Sequence, residues 1–318
     1  MLTNINCYFS ILIFVFGTVG NILNILVLSQ RSLRSNPCAW LFAISSLANF
    51  IALLSGLTTR MVSYWTIDLT DTVSWLCKLR VFTLYTSRTI ASWLITLASI
   101  DRWLLSCLDA HRRQMSTLKN VQQGTIVVTL MSMILYSPIF YCYEANLLNT
   151  PLRCYSKTIP CRIFSDQVYT CVTILLPLCL MFLFGIKTLT NVRKIKYRIQ
   201  SPLLPRMSTI SMKSEQRQRF RLIDRHLFIM LLVQISFHAL FTLPQAVQQI
   251  YSTITRHTYK TEHRLAIENL IYSFGILLTY LANGMPFYIY TLSGGCLFRQ
   301  AFFLLVTRIK QTIRCQQK

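Results

Sequence analysis

Residues Cys7–Ser29, CYFSILIFVFGTVGNILNILVLS, run for 23 positions without a charged side chain. At 1.5 Å of rise per residue, a helix over this stretch is about 35 Å long and crosses a hydrocarbon core of about 30 Å. It lacks the marks of a secretory leader: no basic segment precedes it, the apolar run is too long, and no small-residue cleavage site follows. Six further stretches are long and apolar enough to qualify as spans: Pro37–Leu57, Trp75–Leu108, Val121–Tyr143, Gln167–Val192, His226–Tyr251 and Leu265–Tyr290. Ser45, Ser46 and Asn49 interrupt the second, and Glu268 and Asn269 the seventh, while the third is long enough to cross at a tilt. The expected architecture is all-α, a seven-helix transmembrane bundle over 7–290. A short extracellular segment, 1–6, precedes it, and a cytoplasmic amphipathic helix and tail, 291–318, follows it.

Composition points the same way. Of the 318 residues, 53% are hydrophobic and 13% charged, against about 25% charged in soluble domains. The net charge of +22 is spread over short segments between the apolar runs, so no basic module exists to follow a nucleic acid. Ten Lys and Arg lie between Arg193 and Arg225; with Arg31, Arg34, Arg112, Arg113, Lys119 and five after Tyr290, one set of segments holds 20. The alternate loops hold seven, so the positive-inside rule places the N-terminus outside and the C-terminus in the cytosol.

The third run begins near Cys77 and ends in Asp101-Arg102-Trp103. The first contains Gly20-Asn21, the second Ser45-Ser46-Leu47-Ala48-Asn49, the fifth Pro177, and the sixth Phe241-Thr242-Leu243-Pro244. The seventh contains Asn283-Gly284-Met285-Pro286-Phe287-Tyr288-Ile289-Tyr290, and Phe298-Arg299 follows it. In this order, over about residues 17–310, the chain resembles the rhodopsin-like G protein-coupled receptors, in divergent form and with a general likeness to invertebrate neuropeptide receptors. Their third span ends in Asp-Arg-Tyr, with a disulfide-forming cysteine 25 residues before the arginine, the place Cys77 takes.

The resemblance implies a receptor that binds an extracellular ligand, by default a peptide, and activates a heterotrimeric G protein, without a cofactor or metal. Asp101, Arg102, Trp103 and Tyr290 fall on its switch positions. Asn21, Asn49, Pro177, Pro244 and Pro286 fall on its packing positions. Asp224, at the inner start of the sixth span, is expected to hold Arg102 in an inactive state; a solvated pair near the surface is the alternative. Asn49 replaces the acid that anchors sodium in many relatives, and Thr242 stands where a switching Trp is common. Cys77 is expected to bridge to the loop before the fifth span. Cys154 is favoured over Cys161, and Cys161 then remains available to Cys142.

Arg88 lies three turns into the third span from Cys77 and has no carboxylate in the outer half of any span to neutralise it. Intramembrane charge of this kind faces the bundle interior or water. Arg88, Leu84, Thr242 and Gln245 therefore form the expected pocket, with Arg88 meeting either a ligand acid or polar groups such as Gln245 and Gln248. Leu84 also stands where aminergic relatives carry an aspartate, which disfavours monoamines. His238 and Gln234 read as satisfied interior polar groups. Phe298, Phe302, Phe303 and Leu305 form an apolar stripe beside Arg299 and Arg308, as on a helix lying against lipid. Cys315 suits palmitoylation or a free cytosolic thiol. Ser208, Thr209, Ser211 and Ser214 offer phosphorylation sites for arrestin-type control. The competing class is a transporter or channel-like protein, which would need a mid-membrane relay; Asp101 and Glu268 sit at opposite edges and supply none. No His-Glu-x-x-His or Gly-x-Ser-x-Gly pattern suggests an enzyme.

Overall fold

The computed structural model describes residues 2–30, 33–65, 69–147, 154–200, 211–255, 258, 261–293 and 295–316, with side chains described at 6–30, 33–62, 70–147, 154–194, 226–255, 258, 261–293, 298–307 and 311. Helices α1 (Leu2–Leu28), α2 (Pro37–Trp65), α3 (Leu69–Thr72), α4 (Ser74–Ser106), α5 (Ala110–Gln114), α6 (Leu118–Tyr136) and α7 (Ile139–Cys142) lead into an antiparallel hairpin of β1 (Tyr143–Glu144) and β2 (Tyr155–Ser156). There follow α8 (Ile159–Val168), a π-helical turn over Tyr169–Leu175, α9 (Leu176–Gln200), α10 (Ser211–Ile254), α11 (Glu262–Gly284), α12 (Pro286–Ser293) and α13 (Gly295–Gln316).

Six segments among the described residues are long and apolar enough to cross a membrane: Asn6–Leu28, Pro37–Val62, Leu118–Cys142, Ile159–Lys194, His226–Ile254 and Glu262–Gly284. Their outward faces remain apolar. Ile126, Val127, Leu130, Met131 and Ile134 of α6 are all more than half exposed, a surface that hydrocarbon, not water, must cover.

The 33-residue α4 is the exception. It packs against α2, α6, α9 and α10, and its buried residues include Ser87, Thr89, Ser92, Thr96 and Ser99 as well as Arg88, Asp101 and Arg102. A helix enclosed by protein need not be apolar, and small hydroxylated residues let neighbouring backbones approach closely. Where α1 crosses α11, a Cβ on Gly284 would lie 2.9 Å from the Gly17 Cα, and one on Gly17 would lie 3.1 Å from the Gly284 Cα. Glycine at both positions makes this backbone contact possible.

Side chains close the helix starts. The Asn36 Oδ1 accepts the Cys38 backbone N–H at 3.0 Å, Thr117 accepts that of Asn120 at 3.3 Å, and Thr261 accepts that of Arg264 at 3.4 Å. Each satisfies a donor that has no intrahelical partner.

Several boundaries differ from the sequence expectation. The fifth span begins at Ile159 rather than Gln167, because Pro160 lies in the first turn of α8, where its fixed φ suits a helix start. The seventh span is not one helix: α11 ends at Gly284 and α12 begins at Pro286, which supplies no N–H to the preceding turn. Near Pro177 the chain takes a π turn. There the Leu176 N–H reaches the Cys171 carbonyl, five residues back. Pro177 lacks the corresponding donor, and the Val172 carbonyl instead accepts the Trp93 indole N–H at 3.0 Å.

The segment Phe298–Thr307 turns 111° from Pro286–Ser293. Phe298 and Ala301 are buried, and Phe302 and Leu305 pack beside them on the bundle, the i, i+3, i+4, i+7 stripe of an amphipathic helix. Phe303, expected on that stripe, is 65% exposed instead, since its register points away. Arg299 donates to the Thr291 carbonyl at 3.0 Å and so caps the end of α12.

Two disulfides, Cys77–Cys154 and Cys142–Cys161, staple the hairpin to α4 and the end of α7 to α8. Lys157 sits 2.7 Å from Glu144 on the hairpin and holds that carboxyl below its usual range.

Candidate functional site

At the end of α4 remote from the disulfides, the Asp101 and Arg102 side chains are 2% and 3% exposed and 2.6 Å apart. The guanidinium donates to the Asp101 Oδ2 through Nη2 at 2.6 Å and Nε at 3.2 Å. The Ser116 hydroxyl donates to the other carboxylate oxygen. Arg102 also reaches Asn36, the residue that caps α2, at 3.4 Å. Asp101 thus neutralises its own neighbour and ties α4 to the start of α6, while Arg102 ties it to α2. The Asp224 side chain, on α10, lies outside the described residues.

Trp103 packs on Phe184 of α9 with ring centroids 5.2 Å apart, and the cations of Arg112 and Lys187 lie 5.8 and 5.7 Å from its ring. Its indole fills the α4–α9 seam beneath two positive charges, which favour the electron-rich ring face.

Tyr290 is fully buried among Phe42 and Phe298, at 4.9 and 6.0 Å between centroids, and its hydroxyl donates to the Gln234 Oε1 of α10. This cross-link between α12 and α10 was missed by sequence reasoning. The only trace of it was an amide ten residues before Pro244.

Midway along the bundle is a small cavity lined by Ser45, Asn49, Ser92, Gln234, His238 and Asn283, together with Ala91, Ile95, Phe237, Ala282 and Ile289. Its polar lining is neutral amides, hydroxyls and one imidazole, without the carboxylate that a hard cation prefers. Asn21 donates to the Asn283 carbonyl at 3.0 Å and to the Gly17 carbonyl at 2.8 Å, binding α1 to α11. The Asn24 amide donates to Ser46 at 2.5 Å. Thr242 turns its hydroxyl back to the His238 carbonyl at 2.7 Å and so is occupied within its own helix.

Toward the disulfide end, Arg88 is 8% exposed. Its Nη1 donates to the Tyr169 hydroxyl at 3.0 Å, and its guanidinium lies 4.1 Å from the Tyr280 ring centroid and 6.0 Å from that of Tyr169. Leu84 packs with Tyr280, Leu53, Leu57 and Leu277 just above. Among the described residues the Gln245 Oε1 is buried without a partner, and neither Gln245 nor Gln248 hydrogen-bonds to Arg88; Tyr169 supplies the one hydrogen bond and Tyr280 a ring face. Tyr169 sits at the head of the π turn, and Thr173, one turn on, meets Thr89 at 2.6 Å and Tyr136 at 2.8 Å. The π turn therefore aims one helix face at α4. The partners of Arg88 depend on it, and no sequence period announces it.

The helices and motif positions described above fall within one sequence family. The profile described as 7 transmembrane receptor (rhodopsin family) matches residues 5–290. The chain is also similar to the neuromedin U receptor homolog nmur-2 of Caenorhabditis elegans, at 26% identity over 142 residues. That alignment covers 44% of this chain and 35% of the relative, so the chain spans about a third of the length of the curated protein it matches. With a profile that runs from α1 through Tyr290, the chain belongs to the rhodopsin family of seven-transmembrane receptors and is a multi-pass membrane protein.

Proposed function

We propose that this receptor sits in the plasma membrane with its N-terminus outside, binds an extracellular peptide, and activates a heterotrimeric G protein by parting α4 from α10 at the Arg102 end. The observation that carries this reading is the burial of Arg102. A guanidinium tied to Asp101 and Asn36 beneath packed helices is closed to a partner. Moving α10 would uncover it, a two-state change that a ligand biases by binding one state better. Asp224 lies 20 residues before Pro244, about 30 Å of helix, and is proposed to strengthen the closed state from α10. Tyr290–Gln234 is a second tie that the same motion breaks.

The excess of Lys and Arg on the Arg102 side supports the orientation. The likeness to a neuromedin U receptor homolog supports a neuropeptide as ligand class. Ser208, Thr209, Ser211 and Ser214 are proposed as sites of arrestin-linked phosphorylation and Cys315 of palmitoylation; their side chains lie outside the described residues.

The test is expression with a promiscuous Gα subunit and a neuropeptide library, read by intracellular calcium. A saturable response to at least one peptide is expected, and Asp224→Ala is expected to raise the unstimulated signal. Silence across the library, with basal output unchanged in Asp224→Ala at equal surface expression, would refute the proposal.

A further inference from the structure

Among the described residues, Arg88 holds a positive charge inside the bundle with no ion-pair partner. Asp101, Asp166 and Glu268 are engaged by Arg102, Arg162 and Arg264. The contacts of Arg88 are aromatic: the faces of Tyr280 and Tyr169 and one bond to a phenol. Rings stabilise a cation without neutralising it. The placement of the one hydrogen bond is informative. It occupies Nη1, while Nε and Nη2 are buried and have no partner among the described residues. Those two nitrogens form one edge of the planar guanidinium and present parallel N–H donors, the geometry that a carboxylate accepts with both oxygens. Buried donors are ordinarily satisfied, and a purely structural arginine would spend this edge on the protein.

We propose that the Nε–Nη2 edge of Arg88 is the docking point for a carboxylate of the extracellular ligand, with Tyr169 and Tyr280 holding the guanidinium in orientation. This rests on the receptor reading above and specifies the ligand chemistry. Arg88 lies 11 residues along α4 from the Cys77 bridge, about 16 Å of helix. A narrow tip reaches that depth: the C-terminal carboxylate of an extended peptide, or one Asp or Glu side chain.

The experiment uses purified full-length receptor and matched tetrapeptide sets: free C-terminal acids, the same sequences amidated, amidated sequences with one Glu, and their Gln counterparts. Binding is read as a rise in the thermal unfolding midpoint. Carboxylate-bearing members are expected to stabilise the wild type and their neutral matches to do so at about 10- to 100-fold higher concentration, the range for hydrogen bonds to a charged group. Whichever acid set binds tells the chain terminus from the side chain. Arg88→Gln is expected to erase the preference. Arg88→Lys, which keeps charge but loses the parallel edge, is expected to weaken it at least about tenfold. If Arg88→Gln does not fold, the acid–amide comparison in wild type and Arg88→Lys still decides. Equal binding of acids and amides, a preference that survives in Arg88→Gln, or no binding by any acid overturns the assignment. A peptide that signals through a G protein yet ignores the acid–amide exchange sinks this assignment alone. An acid-selective binder that never signals tells against the receptor reading alone.

Discussion

Replacing Gly284 by alanine tests how tightly α1 and α11 are packed. The new Cβ would lie 2.9 Å from the Gly17 Cα and 3.6 Å from its nitrogen. Carbon atoms rest at about 3.5–4.0 Å, so the helices must part by roughly 1 Å at the crossing, and no rotamer change relieves a clash with backbone. The same displacement stretches the Asn21–Asn283 bond from 3.0 Å past hydrogen-bond range. Overpacking costs about 1–3 kcal/mol, and an interhelical hydrogen bond in a membrane contributes about 0.6 kcal/mol. The sum, about 2–4 kcal/mol, corresponds to a fall of about 2–5 °C in the unfolding midpoint of a chain of 318 residues. Thiol-reactive dye or tryptophan fluorescence in detergent measures it. Gly17→Ala should cost less, because its closest clash, at 2.6 Å, is with the Leu53 Cδ1, a side-chain end, and the Gly284 Cα is 3.1 Å away. Gly124→Ala meets only Leu97, at 3.4 Å and beyond, and serves as the control for adding a methyl group. If Gly284→Ala melts with Gly124→Ala, the crossing is not as close as described, and the reasoning is wrong.

Three further outcomes follow from the geometry. Removing the Cys142–Cys161 bridge, with 19 residues of separation, should destabilise by no more than about 3 kcal/mol and less than removing Cys77–Cys154, whose ceiling is about 4.5 kcal/mol; thermal melts of the paired serine variants compare the two, and the reverse order would count against it. Trp93→Phe orphans the Val172 carbonyl and should cost about 1 kcal/mol, whereas Pro177→Ala supplies the missing N–H. The double variant should therefore melt above the sum of the single effects, and strict additivity would tell against the exchange. Asn49→Asp places a carboxylate in the neutral cavity, so sodium should raise the melting point of this variant relative to choline. An equal response in wild type and variant would show that the missing acid is not what sets sodium sensitivity.

Hydrophobicity made the lipid-facing helices legible, because their outward sides must be apolar whatever lies within. α4 was legible through the length of its apolar stretch despite the charges that keep its hydropathy low, and Cys77 and Asp101-Arg102 then gave its place in the order. The break between Gly284 and Pro286 was signalled by the proline, although its form as two separate helices was not. The π turn left no mark except Pro177, since one extra residue per turn alters no composition. That turn decides which face carries Tyr169 and Thr173, so the environment of Arg88 was out of reach of sequence. What the sequence did show was an unneutralised cation at that depth. The Gln234–Tyr290 tie was hidden likewise, because it depends on the relative rotation of α10 and α12. Asn21 acts through a carbonyl of another helix, a partner that residue identities cannot name.

The polar character of α4 bears on how the chain is made as well as how it works. A segment holding Arg80, Arg88, Asp101 and Arg102 partitions poorly into lipid alone, since a charge at helix-centre depth, the place of Arg88, costs about 2.5–3.5 kcal/mol on the insertion scale. In the finished protein α4 packs against α2, α6, α9 and α10, and three of these four emerge from the ribosome after it. During synthesis α4 must wait beside α2, held at the insertion machinery or near an interface, until α6 arrives to shelter its second side. Variants that loosen the α2–α4 contact should then be lost at the endoplasmic reticulum before they reach the cell surface, a failure of biogenesis that a signalling assay would register as loss of function.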